Sequence, residues 1–136
     1  MSIKLLITGG TIDKTYKELT GELSFTETHM VEMLNRGRSM VETLSEVLFL
    51  KDSLEITDAD RALILEKCQS SQQDTILITH GTDTMVKTAK LIGEHVKDKT
   101  VILFGAMIPY SVDNSDAFFN LGVALSAVQC KEKGVY

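Results

Sequence analysis

The sequence predicts an α/β fold, a doubly wound and mainly parallel sheet in three layers, formed by residues 1–136 as one domain. Two observations lead to this prediction. Apolar segments with the length of buried strands recur along the chain, at 3–8, 45–50, 74–79 and 100–105, and helical patterns alternate with them. Continuous apolar strands suit a parallel sheet that is covered on both faces, and strand–helix alternation suits right-handed crossovers.

The helices are predicted from apolar spacing and from capping signals. Apolar residues recur at helical spacing in two later segments, which are Met85, Ala89, Ile92 and Val96, and then Phe118, Leu121, Leu125 and Val128. We expect Met85, Phe118 and Phe119 to belong to the core.

Capping signals predict two earlier helices and the point where the last helix ends. Thr26 is predicted to cap a helix that ends near Gly37, and the capping box "TDAD" at 57–60 opens a helix through about Cys68. Gly134 is predicted to end the last helix, before a fifth strand that begins at "VY". In such a sheet ligands bind at the carboxyl ends of the strands. The loops that follow the predicted strands, at 9–16, 51–58, 80–84 and 106–115, should therefore converge on one edge.

Composition and charge argue against several functional classes. The net charge is −5 and lysines and arginines form no run, which disfavours nucleic acid as a partner. No apolar segment approaches the roughly 20 residues that span a bilayer, and no signal peptide is evident. Cys68 and Cys130 resemble small buried hydrophobes, which indicates a reducing cytoplasm. His29 and His95 lack acidic partners at ligand spacing, so neither a metal nor another cofactor is expected.

Two loops carry residues that are suited to catalysis or ligand binding: "ITGGTIDK" at 7–14 and "ITHGTDTM" at 78–85. In each, glycine permits a sharp turn after a strand and a threonine hydroxyl follows at the sheet edge. Thr82 and Asp83 fall near a helix N-terminus, which stabilises anions. Either loop alone also suits a structural role, with Thr11 as a loop residue and Thr82 or Asp83 as an N-cap. His80 is interpreted as a packing residue.

Four motifs together resemble the bacterial-type L-asparaginase family: "TGGTI" at 8–12, "HGTDTM" at 80–85, "GAMIP" at 105–109 and "SDAFFNL" at 115–121. The resemblance extends over nearly the whole chain. It covers the amino-terminal domain of that family and implies its fold, and we expect the family's smaller carboxyl-terminal domain to be absent from these 136 residues.

The resemblance implies an amidohydrolase that cleaves asparagine or a related small amide to the acid and ammonia through a threonine acyl-enzyme. Thr11 matches the nucleophile, and Tyr16 matches the tyrosine that orients and activates it. Thr82 matches the second threonine, which positions the water or amide, and Asp83 matches the carboxylate that binds the α-amino group. A threonine hydroxyl needs such activation at neutral pH.

The same resemblance implies a set of substrate-binding residues. Gly10 and Gly81 form the turns that face the substrate, and the Ala106 carbonyl matches an acceptor for the leaving amide nitrogen. Ser53 matches the serine that binds the α-carboxylate, although a role as a turn residue is equally open. Leu54 stands where the family has a polar side chain, so one polar contact is lost.

The largest departure from the family is an absence. In the family a lysine pairs with the aspartate of "HGTDT", and the usual place of that lysine lies beyond Tyr136. Lys14, Lys87 and Lys90 are alternatives within the chain. The family completes its site between subunits, so a homo-oligomer is expected. An inactive module that binds aspartate- or asparagine-like ligands is the competing hypothesis. A phosphate loop is disfavoured because the Gly-x-Gly-x-x-Gly and Walker spacings are missing.

Overall fold

A five-stranded parallel sheet forms the centre of the molecule, which a computed structural model describes over residues 1–136. Its strands are β1 (Ser2–Gly9), β4 (Glu42–Lys51), β5 (Thr75–Thr79), β6 (Thr100–Phe104) and β7 (Gly134–Val135), in the spatial order β4-β1-β5-β6-β7. Every neighbouring pair is parallel. The predicted fold class is confirmed, and so is a fifth strand at the end of the chain.

A small antiparallel hairpin follows β1 and was not predicted. It consists of β2 (Thr15–Lys17) and β3 (Glu22–Ser24), which pair with each other and with no strand of the main sheet. Gly21 has a φ of 70° in the connecting turn, a conformation that glycine adopts without strain. Each strand has only three residues, too few to show an alternating pattern.

Four helices connect the strands: α1 (Met30–Arg36), α2 (Asp58–Ser70), α3 (Met85–His95) and α4 (Ala117–Cys130). The capping box of α2 is confirmed, because the Asp60 N–H donates to Thr57 Oγ1 at 3.1 Å and the Thr57 N–H donates to Asp60 Oδ2 at 2.9 Å.

Two predicted helix ends are wrong. Helix α1 begins at Met30 and not after Thr26, because the hydroxyl of Thr28 and the N–H of His29 bond to the Asp13 carboxylate and hold the approach to the helix. Its end before Gly37 agrees with the prediction. Helix α4 ends at Cys130, and Gly134 instead begins β7.

The helices cover both faces of the sheet and form the predicted three layers. On one face, β1 residues Ile3, Leu5 and Ile7 pack with Met33 of α1 and Leu121 of α4. On the other face lie side chains of α2 and α3, together with the oppositely directed strand residues: Leu6, Ile64, Cys68, Ile76, Ile78, Ile92 and Val96. Alternate residues of β1 thus serve two separate cores.

Some residues predicted to be buried are exposed. Phe119 is 75% exposed, Phe118 is partly exposed, and Met85 is only half-buried. Helix α4 is apolar around much of its circumference, so apolar spacing alone does not identify the side that faces the sheet. Cys130, on the same helix, is exposed, whereas Cys68 is buried. No helix is both long enough and apolar enough to cross a membrane.

Candidate active site

The candidate site lies where the strand order reverses. From β1 the chain crosses to β4 on one side and then to β5 on the other, so the loops after β1 and β5 meet between two adjacent strands. Thr8 and Thr79 join the ends of these strands. The Thr8 hydroxyl donates to the Thr79 carbonyl at 2.5 Å, and the Thr8 N–H donates to Thr79 Oγ1 at 3.1 Å.

The two predicted loops touch through Gly10 and Gly81. Gly10 has φ 83° and ψ 173°, and a Cβ there would lie 2.5 Å from the Gly81 nitrogen. Only glycine permits both the dihedral angles and the approach. Thr11 and Thr82 each follow one of these glycines. Because consecutive Cα atoms are about 3.8 Å apart, the Cα atoms of the two threonines are no more than about 12 Å apart.

Thr11 opens a short 3₁₀ turn and is half-buried, and its hydroxyl makes no hydrogen bond to the protein. The turn is held by Asp13, which is fully buried. The Asp13 carboxylate accepts from Thr28 Oγ1 at 2.9 Å and from the His29 N–H at 2.8 Å. Burial raises the pKa of Asp13, an effect that these hydrogen bonds oppose. Asp13 therefore ties the Thr11 loop to the start of α1.

Tyr16 lies on β2 of the hairpin. Its side chain is 51% exposed and makes no hydrogen bond to Thr11, and its hydroxyl lies near Gly21 in the hairpin turn. The prediction that Tyr16 activates Thr11 stays a prediction.

Thr82 and Asp83 lie in the turn before α3, and both are exposed. The N-cap of α3 is Thr84, so neither of them caps the helix. The Thr82 hydroxyl contacts Met107 Sδ at 3.8 Å, which connects the β5 loop to the β6 loop. Both side chains are accessible to a ligand at this edge.

Ser53 is nearly completely buried against the β5 loop. A Cβ on Gly81 would lie 2.8 Å from the Ser53 Cβ, so glycine is required here as well. The Ser53 hydroxyl oxygen accepts a hydrogen bond from the Thr84 N–H at 3.3 Å. Its own proton remains free to donate.

The fourth loop follows β6 and contains Ala106, which is buried. Asp116 organises this loop, because its carboxylate accepts from the N–H groups of Met107 and Ile108 at 3.0–3.1 Å and from Asn120 Nδ2 at 2.9 Å. The Met107 N–H in particular holds the pKa of Asp116 below its usual range. Asn120 also donates to the Gly105 carbonyl at 2.9 Å. The backbone around Ala106 is thus fixed from two directions.

The alternative lysines do not contact Asp83. Lys14 Nζ pairs with Asp52 at 2.8 Å, and Lys87 Nζ lies 3.7 Å from Asp58. Lys90 forms no salt bridge, and Asp83 has no cation within 4 Å. No group of three or more His, Cys, Asp or Glu side chains is arranged to hold a metal ion.

A buried polar network beside this edge was not predicted from the sequence. Arg61 of α2 is 4% exposed and bonds to Thr84 and Thr88, and Thr88 in turn bonds to His80. Burial lowers the pKa of His80, and the charge of Arg61 lowers it further, while the bond to the Gly81 carbonyl opposes both. One signal was available: Arg61 shares the helical spacing of the buried Ile64 and Cys68.

Comparison with known proteins agrees with this geometry. The chain is 32% identical to a subunit of the glutamyl-tRNA(Gln) amidotransferase of Methanococcus vannielii, over 99% of the chain and 33% of that protein. It is 30% identical to the L-asparaginase of Thermococcus kodakarensis, over 100% of the chain and 43% of that protein. The solved structure of the thermostable L-asparaginase from T. kodakarensis superposes with a TM-score of 0.87 at 28% identity, again over 100% of the chain and 43% of the solved one.

The chain spans 33% of the length of the first relative and 43% of the length of the second. The family model for the N-terminal part of asparaginase matches residues 2–136. The glycine–threonine loops that meet at the β1–β5 edge are thus the loops of a known family fold, and the chain belongs to the asparaginase family through its N-terminal domain.

Proposed function

We propose that the chain carries the catalytic loops of an asparaginase-like amidohydrolase, which converts asparagine or a related small amide and water to the acid and ammonia. Asparaginase family membership supports amide hydrolysis as the reaction class. The contact between Gly10 and Gly81 carries the proposal, because it brings the free hydroxyl of Thr11 to the same edge as Thr82.

The proposed reaction has two steps. Thr11 Oγ1 attacks the side-chain amide carbonyl, the C–N bond breaks, and the hydroxyl proton leaves with the nitrogen as ammonia. Water then attacks the resulting ester, which releases the acid and restores the hydroxyl. Thr82 is proposed to position the amide and then the water, with Tyr16 activating Thr11.

Substrate recognition is proposed to use both charged groups of the amino acid. Asp83 has no competing cation, and its exposed carboxylate suits an α-ammonium group. The free hydroxyl proton of Ser53 suits the α-carboxylate, and the backbone of Gly10, Gly81 and Ala106 surrounds the amide. We propose no metal or other cofactor, no nucleic acid partner and no membrane, with a cytoplasmic setting.

We also propose that the working protein is a homo-oligomer, with any second domain of the family lying outside residues 1–136. The exposed apolar side chains of Phe119 and Val123 on α4 are compatible with contact between subunits.

An inactive module that binds aspartate or asparagine is the second candidate. Two observations favour it: Tyr16 makes no hydrogen bond to Thr11, and no lysine within residues 1–136 pairs with Asp83. Loss of an acid or base of this kind costs about 10²- to 10⁴-fold in rate.

The test is ammonia release from asparagine and from glutamine by the purified chain. Thr11→Ala and Thr82→Ala should each abolish release, while Thr20→Ala, which alters an exposed threonine of the hairpin, should not. An inactive parent whose melting temperature is raised by aspartate would support the binding module. Activity that survives Thr11→Ala would contradict the threonine mechanism.

A further inference from the structure

Arg61 is a buried cation without a buried anion. Its side chain is 4% exposed, and the one carboxylate within 4 Å is that of Asp58, at 3.9 Å and almost fully exposed. An arginine keeps its charge throughout the pH range in which proteins fold. Burial of such a charge is unfavourable unless hydrogen bonds replace its hydration. The guanidinium accordingly donates to three acceptors, and two of them lead to the candidate site.

The first hydrogen-bond arm runs from Arg61 to Ser53. Arg61 Nη2 donates to Thr84 Oγ1 at 2.9 Å, and the Thr84 hydroxyl donates onward to the Ser53 carbonyl at 2.8 Å. The Thr84 N–H also donates to Ser53 Oγ. This arm fixes the β4 loop to the first residue before α3.

The second arm runs from Arg61 through Thr88 and His80 to Gly81, and its proton positions follow from the acceptors. A carbonyl only accepts, so the 2.7 Å contact between His80 Nδ1 and the Gly81 oxygen places the proton on Nδ1. The neutral ring then accepts at Nε2 from the Thr88 hydroxyl at 2.7 Å. The Thr88 oxygen, in turn, accepts from Arg61 Nε at 3.1 Å. Every donor and acceptor of this arm is satisfied.

We propose that Arg61 is a positioning residue of the candidate active site, which holds Gly81 and Ser53 in register through these two hydrogen-bond arms. The arms reach Gly81 and Thr84, on either side of Thr82 and Asp83, which are themselves exposed. This inference rests on the proposed function only for its effect on turnover, because the state of the turn at 81–84 is measurable without a substrate.

The experiment alters the second arm at Thr88 and its source at Arg61. Thr88→Val keeps the shape and removes the hydroxyl, whereas Thr88→Ser keeps the hydroxyl. Arg61→Met removes the source of both arms. Lys67→Met is the matched control, since Lys67 is a cation on the same helix that pairs with Glu46 outside the network.

Two readouts are made on the full chain by NMR. The first is amide hydrogen exchange at Thr84, whose N–H donates to Ser53 Oγ, relative to Leu77 in β5. The second is the ¹⁵N shifts of the His80 ring. We expect Thr88→Val and Arg61→Met to accelerate exchange at Thr84 by about tenfold or more, since each leaves buried polar groups of the network unpaired. Thr88→Val should also change the Nε2 shift of His80. Thr88→Ser and Lys67→Met should match the parent. If Arg61→Met fails to fold, the Thr88 pair decides the outcome.

Turnover provides a separate measurement. If the parent releases ammonia, kcat/KM should fall by about 10- to 100-fold in Thr88→Val and recover in Thr88→Ser, because small misplacements of catalytic groups have effects of this size. Unchanged exchange at Thr84 in Thr88→Val and Arg61→Met would overturn the positioning role. An inactive parent that shows the expected exchange pattern would refute the proposed function and leave the positioning role intact.

Discussion

Replacement of Gly10 by alanine tests the geometry on which the candidate site depends. With φ 83° and ψ 173°, Gly10 occupies a region that costs other residues about 1–3 kcal/mol. The added Cβ would also lie 2.5 Å from the Gly81 nitrogen and 2.7 Å from its Cα. Since both neighbours are backbone atoms, the two loops must separate, which adds about 1–3 kcal/mol by analogy with overpacked cores. The expected loss in free energy of unfolding is therefore about 2–6 kcal/mol.

The assay is urea unfolding of Gly10→Ala followed by far-ultraviolet circular dichroism, with Gly122→Ala as the matched control. A Cβ on Gly122 in α4 would meet no atom within 4 Å, so this variant should gain about 0.5–1 kcal/mol from its better helix propensity. Ammonia release should disappear in Gly10→Ala and persist in Gly122→Ala. A Gly10→Ala chain that is within about 0.5 kcal/mol of the parent would refute the contact between the two loops.

Two further predictions concern titratable groups. The stability of the parent should fall as the pH drops below about 6.5, because unfolded His80 then binds a proton that the buried ring, with its lowered pKa, does not. His80→Asn should lessen this dependence in urea unfolding between about pH 8 and pH 5, and an identical slope would contradict the reasoning. Burial raises the pKa of Cys68 to about 12. A thiol reagent should therefore modify only Cys130 in the native chain and both cysteines in urea. Rapid modification of both cysteines in the native chain would contradict the burial of Cys68.

Much of the fold was predictable because it depends on local patterns. Buried parallel strands are continuous apolar segments, and the capping box at Thr57 uses residues three positions apart. The convergence of the loops followed from the rule that ligand sites form at the carboxyl ends of parallel strands. Gly10 and Gly81 were identified as turn residues, although the closeness of their approach depends on how β1 and β5 pack.

The features that were missed depend on distant partners. Arg61 is buried because acceptors from 56, 84 and 88 reach it. Its helical spacing with Ile64 and Cys68 indicates a buried face but does not identify the acceptors at 84 and 88. The start of α1 was misplaced because Asp13 binds Thr28 and His29 across 15 residues or more. The outward side of α4 was misread because Phe119 and Val123 are as apolar as the residues that face the sheet.

The position of β1 between β4 and β5 has a consequence for how the chain acquires its site during synthesis. The hydrogen bonds between Thr8 and Thr79 join residues 71 positions apart, so one edge of β1 has no partner until β5 has been made. Such non-local pairing is slow, and an open strand edge invites association with other chains. Thr11 leaves the ribosome before β4, α2 and β5 have been made, so the site that it shares with Thr82 is assembled only after those elements have followed it.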